Sequence, residues 1–311
     1  MQIRLFLNEA KKFKSDANLK DLANFKNENN FAFFLTTNEA DFQKSLDLCI
    51  NLNKSIQNNL KHKLVIDSGY IIENLTILHF EKKNVVKTGL KIFLTNNFIS
   101  ILDKSNSPII RQAFEKIFKE NHLIQESPVV FYCAVINKIL DSYYAITDSW
   151  SDDIASAEIK ILEKKSDNTS LELADMRKKI IYIRSNIQDL INQLEKIQET
   201  ESKLFSGFSR TLEQTIKRSY FLRNSIETLN GMIINLYNLY LADLSAKQNE
   251  INKTLTIVAT IFMPASFITG FFGMNFTLPF LEHEYAYFAC TGLILISFVC
   301  AVLYFRKKKW I

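Results

Sequence analysis

"TLTIVATIFMPASFITGFFGMNFTLPFL", residues 254–281, contains no charged side chain. Leu255–Phe272 supplies 18 uncharged residues of this stretch, and Tyr285–Phe305 supplies a second uncharged stretch of 21 residues. A helix that crosses a bilayer needs about 20 such residues, with a range of roughly 17–25. The sequence therefore predicts two membrane-spanning helices, joined by a short segment that contains Pro279.

The charged residues that flank the two predicted spans are unevenly distributed. Lys247 and Lys253 precede the first span, and the sequence RKKK at 306–309 follows the second. The connecting segment carries Glu282 and Glu284 but no lysine or arginine. The positive-inside rule therefore predicts that both termini are cytoplasmic and that the connecting segment lies outside.

The composition argues against several classes of protein. The net charge is +5 over 311 residues, and much of it lies in the terminal RKKK, so the charge does not indicate nucleic-acid binding. The four cysteines have neither CxxC nor zinc-site spacing. No phosphate-binding glycine loop, nucleophile elbow or catalytic His/Asp/Glu cluster appears in the N-terminal 150 residues, so they give no indication of an enzyme. Met1–Ala10 lacks the apolar core of a signal peptide.

Residues 171–254 have the composition of very long helices, with no proline and with glycine only at Gly207 and Gly231. One apolar heptad seam contains Leu173, Met176, Ile180, Ile183, Ile187, Leu190, Leu194 and Ile197. A second contains Leu222, Ile226, Leu229, Ile233, Leu236 and Tyr240. Two such seams predict an antiparallel helical hairpin that reverses at Gly207. The second arm is expected to run from Ser209 to Gly273, on the order of 100 Å at 1.5 Å per residue.

The N-terminal 150 residues alternate short β-rich runs with helical stretches, which predicts an α/β domain. The predicted strands are Ala32–Thr36, Ile71–Phe80, Leu90–Thr95 and Phe98–Leu102, and the predicted helices are Asp41–Leu60 and Ile109–Lys119. Residues 95–97, TNN, are a candidate hairpin turn. The fold class is therefore α+β, with a cytoplasmic α/β domain (1–150), a hairpin arm (151–208), a stalk helix (209–254), two spans (255–273 and 285–305), an external loop (274–284) and a basic tail (306–311).

One face of the first predicted span is small or polar, whereas its other faces are Leu, Ile, Val and Phe. At steps of three and four, this face contains Asn249, Asn252, Thr256, Ala259, Met263, Ser266, Gly270 and Gly273. One interpretation is close helix packing in lipid. The other is a pore lining, because polar groups at membrane depth are tolerated chiefly where they line a cavity or pair with one another. A single stripe cannot enclose a pore, so this interpretation requires several copies around an axis.

Gly273-Met274-Asn275 at the end of the first span, followed by a second span and a lysine-rich terminus, resembles the CorA family of magnesium transport proteins. Residues 249–276, NEINKTLTIVATIFMPASFITGFFGMNF, resemble the pore helix of this family over its full length. Residues 304–310, YFRKKKW, resemble its C-terminus. The resemblance covers the whole chain and is strongest in the last sixty residues.

The resemblance implies a homopentamer in the inner membrane, with a funnel-shaped cytoplasmic domain and five first helices around the pore. Gly273, Met274 and Asn275 would form the selectivity filter, with Asn275 as the ring that contacts the metal ion. The remaining lining residues would be Gly270 and Ser266 below the filter, Met263 and Leu255 as apolar constrictions, and Thr256, Asn252 and Asn249 at the inner mouth. Mg²⁺ would be both cargo and regulator, and Co²⁺ and Ni²⁺ are further candidates.

Two features depart from the family pattern. The external loop reads LPFLEHEY (278–285) instead of an MPEL-like stretch, although Glu282 and Glu284 would still attract cations. The family senses cytoplasmic magnesium through carboxylates that bridge subunits. Where an aspartate is expected, this chain has Glu213 and Gln214, so Glu213 is the candidate regulatory ligand.

Two alternatives to a magnesium channel stay open at this point. One is a zinc, cobalt or nickel transporter of the same family, although no cysteine or histidine lies on the predicted lining. The other is a membrane-tethered scaffold whose helical arms bind a partner. In that case Asn275→Ala would leave the function intact.

Overall fold

The computed structural model describes residues 2–7, 12–14, 31–50, 59–67, 69–81, 84–119, 127–163, 169–200, 209–274 and 285–310. The chain divides into two compact units, Met1–Leu236 and Tyr237–Ile311.

Seven strands in the described part of the first unit form one mixed sheet. They are β1 (Gln2–Leu7), β2 (Lys12–Lys14), β3 (Phe31–Thr36), β4 (Leu64–Ile66), β5 (Ile71–Glu81), β6 (Asn84–Leu94) and β7 (Phe98–Asp103). Their order is β2-β1-β3-β7-β6-β5-β4. Only the central pair β3–β7 is parallel among these strands, and the other neighbours are antiparallel.

The described helices are α1 (Glu39–Ile50), α2 (Pro108–Lys119), α3 (Pro128–Leu162), α4 (Thr169–Glu199), α5 (Ser209–Phe272) and α6 (Ala286–Lys307). The start of α3 is capped by Ser127, whose Oγ accepts hydrogen bonds from the N–H groups of Val129 and Val130 at 3.2 and 3.3 Å. Pro128 at the first helical position lacks an N–H that would otherwise need a partner.

Helices cover both faces of the sheet. Phe34 of β3 belongs to the same buried cluster as Phe42 of α1. The neighbouring Phe33 points to the other face, where its ring centroid lies 4.9 Å from that of Phe131 in α3. Because successive strand side chains alternate, this pair of contacts defines a three-layer arrangement with the sheet in the middle.

The structure confirms the main sequence predictions for this domain. Strands β6 and β7 pair antiparallel on either side of residues 95–97, as the TNN motif predicted. The predicted strands correspond to β3, β5, β6 and β7. The predicted helix Asp41–Leu60 corresponds to α1 up to Ile50, and its residues 51–58 lie outside the described residues.

The arms α4 and α5 run antiparallel. The Tyr220 hydroxyl donates to Glu195, and farther along α5 the Glu227 carboxylate accepts from Arg184 at 2.6 Å. The two contacts show opposite directions, because the later residue of α5 meets the earlier residue of α4. The α4 seam is buried except at Met176, and the α5 seam is buried from Leu222 to Leu236. Gly207, the predicted reversal point, lies outside the described residues.

Three described helices, α3, α5 and α6, are long and apolar enough to cross a membrane. In α3, 56% of the most apolar 18-residue window is buried, against 0% in α5 and 6% in α6. The apolar residues of α3 therefore belong to the core of the α/β unit, and α5 and α6 supply the two spans. This confirms the predicted fold class: an α/β domain, an antiparallel helical hairpin and two C-terminal apolar helices.

Candidate functional site

The predicted lining residues share one exposed face of the second half of α5. Asn249, Asn252, Leu255, Thr256, Met263, Ser266, Gly270 and Gly273 are all exposed. The two bulky members are among the most exposed, with Leu255 at 67% and Met263 at 69%. The flanking faces are exposed as well, but they carry large apolar side chains such as Phe262 and Phe267.

The face of α5 opposite this stripe is the one that the second unit partly covers. Its half-buried residues include Ile257, Ile261, Pro264, Ile268 and Phe272. At 3.6 residues per turn, their mean direction lies roughly 180° from that of the stripe. The packing within this unit therefore leaves the small and polar stripe free to face an axis.

The end of α5 favours a glycine because of a close approach. The Gly273 N–H donates to the Thr269 carbonyl at 2.9 Å, and a Cβ added to Gly273 would lie 3.0 Å from the same oxygen. A side chain at position 273 would therefore force the last turn to shift. The Met274 N–H donates to the Phe271 carbonyl at 3.3 Å, so the helix closes with a tight turn.

Three predicted site residues lie beyond this turn. Asn275, Glu282 and Glu284 fall outside the described residues, so their roles stay predictions.

The stripe offers an oxygen atom to a cation even at Thr256, whose hydroxyl already donates a hydrogen bond. The Thr256 hydroxyl donates to the Asn252 carbonyl at 2.8 Å, one turn earlier in α5. A hydroxyl that donates in this way still presents oxygen lone pairs outward. Oxygen is the ligand type that Mg²⁺ prefers.

Pro264, in the motif FMPAS, lies inside α5, a position that the predicted span did not take into account. A proline has no N–H, so the Thr260 carbonyl loses its intrahelical donor. The helix nevertheless continues to Phe272. Pro264 is half-buried on the face away from the stripe, so it does not lie on the proposed lining.

The candidate regulatory residue Glu213 lies exposed near the start of α5. Its carboxylate accepts from Lys217 Nζ at 2.6 Å, one helical turn later. The hydrogen bond from Lys217 holds the pKa of Glu213 below its ordinary value. Among the described residues, no group of three or more His, Cys, Asp and Glu side chains could hold a metal ion. A metal ion at Glu213 would need ligands from elsewhere and would compete with Lys217.

A polar network joins α5 to α3 in the first unit. Arg218 donates to Asp141 and, at 3.3 Å, to the Asn137 side-chain oxygen. The Asn137 amide donates to Thr215 Oγ1 at 3.0 Å, and the Tyr144 hydroxyl donates to the Arg218 carbonyl at 3.2 Å. The network fixes the register of the first turns of α5 against α3. Its partners are more than seventy residues apart in sequence, so no local pattern predicted it.

A buried carboxyl group lies between the sheet and α3. The Tyr132 hydroxyl donates to Glu73 Oε2 at 2.8 Å, whereas Glu73 Oε1 has no hydrogen-bond partner in the described structure. Burial raises the pKa of Glu73 to about 7, although the bond from Tyr132 opposes the shift. Burial also raises the pKa of the adjacent Cys133 thiol to about 12. Glu73 therefore ionises within the physiological pH range.

These features together define a class: a two-span membrane protein whose first span continues a long helix of a folded α/β domain. The family described as CorA-like Mg²⁺ transporter protein matches residues 36–307, and the chain belongs to that family. This confirms the resemblance that was based on the Gly-Met-Asn motif.

Individual relatives agree with this assignment. The chain is 27% identical to the cobalt/magnesium transport protein CorA of Thermotoga maritima over 258 residues, which cover 80% of this chain and 72% of the relative. The complete structure of the CorA magnesium transporter from Methanocaldococcus jannaschii superposes with a TM-score of 0.76 at 20% identity, covering 91% of each chain. The full-length CmaX protein gives a TM-score of 0.78 at 12% identity, covering 100% of this chain and 98% of the other. Both structural matches concern the fold alone.

Proposed function

We propose that this protein is a channel that passes Mg²⁺ across the inner membrane into the cell, down the electrical potential. Membership of the family supports transport of divalent cations, and not catalysis, as the general function. The observation that carries the more specific proposal is the small and polar stripe of α5 on the face opposite its half-buried residues. Five copies around an axis would place these stripes around one pore.

Selection would occur at a ring of Asn275 side chains, one from each copy. Mg²⁺ dehydrates reluctantly and prefers oxygen ligands. Neutral amide carbonyls can accept hydrogen bonds from the water shell of the ion without removing that shell. A ring of aspartates would bind the cation more strongly and slow its release. Glu282 and Glu284 would raise the local concentration of cations at the outer mouth.

The gate would be apolar. Leu255 and Met263 are exposed on the lining face, and rings of such side chains can close a narrow pore by dewetting. The hydrophilic residues at the inner mouth, Asn249, Asn252 and Thr256, would keep the pore hydrated below the gate.

We predict that Met263→Ser opens a leak. A hydroxyl ring keeps water in the constriction, so basal Mg²⁺ flux at high cytoplasmic Mg²⁺ should rise on the order of tenfold. The matched control is Met263→Leu, which keeps the ring apolar and should leave the basal flux low. Stopped-flow measurement with a Mg²⁺-sensitive dye inside vesicles gives the flux. A Met263→Ser protein that remains as closed as Met263→Leu would contradict the gate assignment.

Regulation by cytoplasmic Mg²⁺ would involve Glu213 together with ligands from a neighbouring copy. Because Lys217 occupies the Glu213 carboxylate at 2.6 Å, Lys217→Gln should lower the Mg²⁺ concentration that half-closes the channel, by roughly threefold for one exposed charge pair. Glu213→Gln should raise that concentration. Titration of flux against internal Mg²⁺ tests both variants, and shifts in the same direction in both would exclude Glu213 as a ligand.

The function itself is tested by Mg²⁺ uptake into vesicles that contain the purified full-length protein and carry an inside-negative potential. We expect uptake above that of protein-free vesicles and block by cobalt hexammine, which mimics hydrated magnesium. Uptake of Co²⁺ is measured in parallel because the Thermotoga relative is named for both ions. Uptake of Ni²⁺ and Zn²⁺ is measured in the same way, to test whether the protein transports one of these ions instead.

A further inference from the structure

We propose that the second unit binds the phosphodiester headgroup of an anionic phospholipid at the end of its two apolar helices. The site, here called the basic aromatic corner, consists of Lys253, Tyr304, Phe305, Lys308 and Trp310. This proposal concerns a lipid partner and does not depend on the transported ion.

The corner is built by a fixed turn after α6. Lys309 adopts a left-handed backbone conformation, with φ 56°, which ends the helix. The Trp310 N–H then donates to the Phe305 carbonyl at 3.0 Å, and the Lys308 N–H donates to the Tyr304 carbonyl at 3.1 Å. This hydrogen-bond pattern reverses the chain and holds Trp310 against the helix end.

The rings in the corner hold two lysines from different parts of the chain. The Trp310 ring stacks on Phe305, with centroids 5.7 Å apart and an interplanar angle of 19°. Lys308 Nζ lies 5.8 Å from the Trp310 centroid and 5.3 Å from that of Tyr304. Lys253 Nζ, from α5, lies 5.9 Å from the same Trp310 centroid. Both ammonium groups therefore flank one indole.

The positive charge of the corner has no carboxylate partner among the described residues. Neither lysine forms an ion pair with a described residue, and the same holds for Arg306, Lys307 and Lys309. By contrast, Lys247, earlier in α5, pairs with Asp243 at 2.9 Å. Cation–π contacts orient the ammonium groups but leave their charge uncompensated, so an anionic group is the missing partner.

A lipid fits this site better than a free anion. The corner lies directly at the end of a span, where exposed apolar side chains continue along α6, including Val299 at 52% and Leu303 at 59% exposure. A phospholipid would place its phosphodiester between the lysines and its acyl chains along these side chains. Clusters of Lys and Arg next to a span favour anionic headgroups electrostatically, and Trp and Tyr favour the same depth in the bilayer.

The test uses Trp310 as its own reporter. The chain has two tryptophans, so Trp150→Phe leaves one at the corner. The full-length protein is reconstituted, without Mg²⁺, into phosphatidylcholine vesicles that contain a brominated lipid as the quencher. The quencher is either brominated phosphatidylglycerol or brominated phosphatidylcholine, and in both lipids the bromine lies near the headgroup. We expect quenching to give a preference for phosphatidylglycerol of more than tenfold, since each of the two lysines near an anionic surface contributes a factor of about five.

The lysine variants assign the preference to the corner. Lys253→Gln together with Lys308→Gln should lower the preference on the order of tenfold, because both contributions are lost while Arg306, Lys307 and Lys309 still attract the anionic lipid. Lys247→Gln is the matched control, because that lysine already has a carboxylate partner, and it should keep the preference. Circular dichroism and oligomer elution verify folding. If the double variant fails to fold, Lys308→Gln alone, in the terminal turn, gives the readout.

Three results would overturn the proposal. They are equal quenching by the two lipids in the wild type, an unchanged preference in the folded lysine variant, and loss of the preference on adding inorganic phosphate at constant ionic strength. The last result would identify a site for soluble phosphate instead of lipid. Because no ion flux is measured, none of these results bears on the channel proposal, and a protein that fails to transport could still show the preference.

Discussion

Reconstituted Asn275→Ala is expected to lose Mg²⁺ flux by on the order of a hundredfold, because a whole ring of amide acceptors would disappear at once. The methyl group cannot accept hydrogen bonds from the water shell of the ion, so the entering ion would lose its binding site. Dye-reported uptake under an inside-negative potential measures the effect. Asn192→Ala removes an exposed amide from α4 and should retain full flux.

A second substitution at the same position distinguishes charge from geometry. Asn275→Asp keeps an oxygen acceptor but adds a negative charge from every copy. It should bind Mg²⁺ more tightly and conduct it more slowly, with flux that saturates at lower external Mg²⁺. Equal and substantial flux in the wild type and Asn275→Ala would contradict the role of Asn275 but not transport. Negligible flux in every variant, from folded oligomers, would contradict transport and favour the scaffold alternative.

The wild-type α/β unit is expected to lose stability as the pH rises from about 4.5 to 7. Glu73→Gln is expected to abolish this loss. The pKa of Glu73 is about 7 in the folded protein and 4.5 as its ordinary value. Between these values the folded state binds more protons than the unfolded state, so the free energy of unfolding falls as the pH rises. The total loss, complete above pH 7, is roughly 3 kcal/mol at 1.36 kcal/mol per pKa unit.

The measurement is denaturant unfolding of the full-length protein at pH 5 and pH 8. Trp310→Phe leaves the buried Trp150 of α3 as the reporter for the first unit. The glutamine side chain in Glu73→Gln also lowers the free energy of unfolding at every pH, because a polar group stays buried without a partner at the Oε1 position. The readout is therefore the change in the free energy of unfolding between the two pH values, and not its absolute value.

Glu39→Gln is the control with the opposite sign. Hydrogen bonds from Lys104 and Lys91 lower the pKa of Glu39. The interaction of Glu39 with these two lysines therefore stabilises the folded state at neutral pH. This stabilisation is lost as the pH falls through the folded pKa of Glu39. A wild-type protein with equal stability at pH 5 and pH 8, after correction for this control, would show that Glu73 is ionised or solvated in solution.

Sequence periodicity predicted the parts of this fold that depend on local patterns. Apolar seams at heptad spacing predicted α4 and α5, and short β-rich runs predicted β3, β5, β6 and β7. The short strands β1, β2 and β4 were not predicted. β2 and β4 span only three residues each, too few to stand out as β-rich runs, and β1 pairs with both β2 and β3.

The amino-acid sequence by itself determined the membrane spans, the polar stripe on one face of α5 and the motif that identified the family, because each depends on residues near one another in the chain. Tertiary structure decided three other matters. It buried the apolar α3 in the core instead of lipid, it placed Glu73 against Tyr132 across 59 residues, and it brought Lys253 to Trp310. Burial and charge pairing arise between distant segments, and hydropathy does not distinguish a protein core from a bilayer.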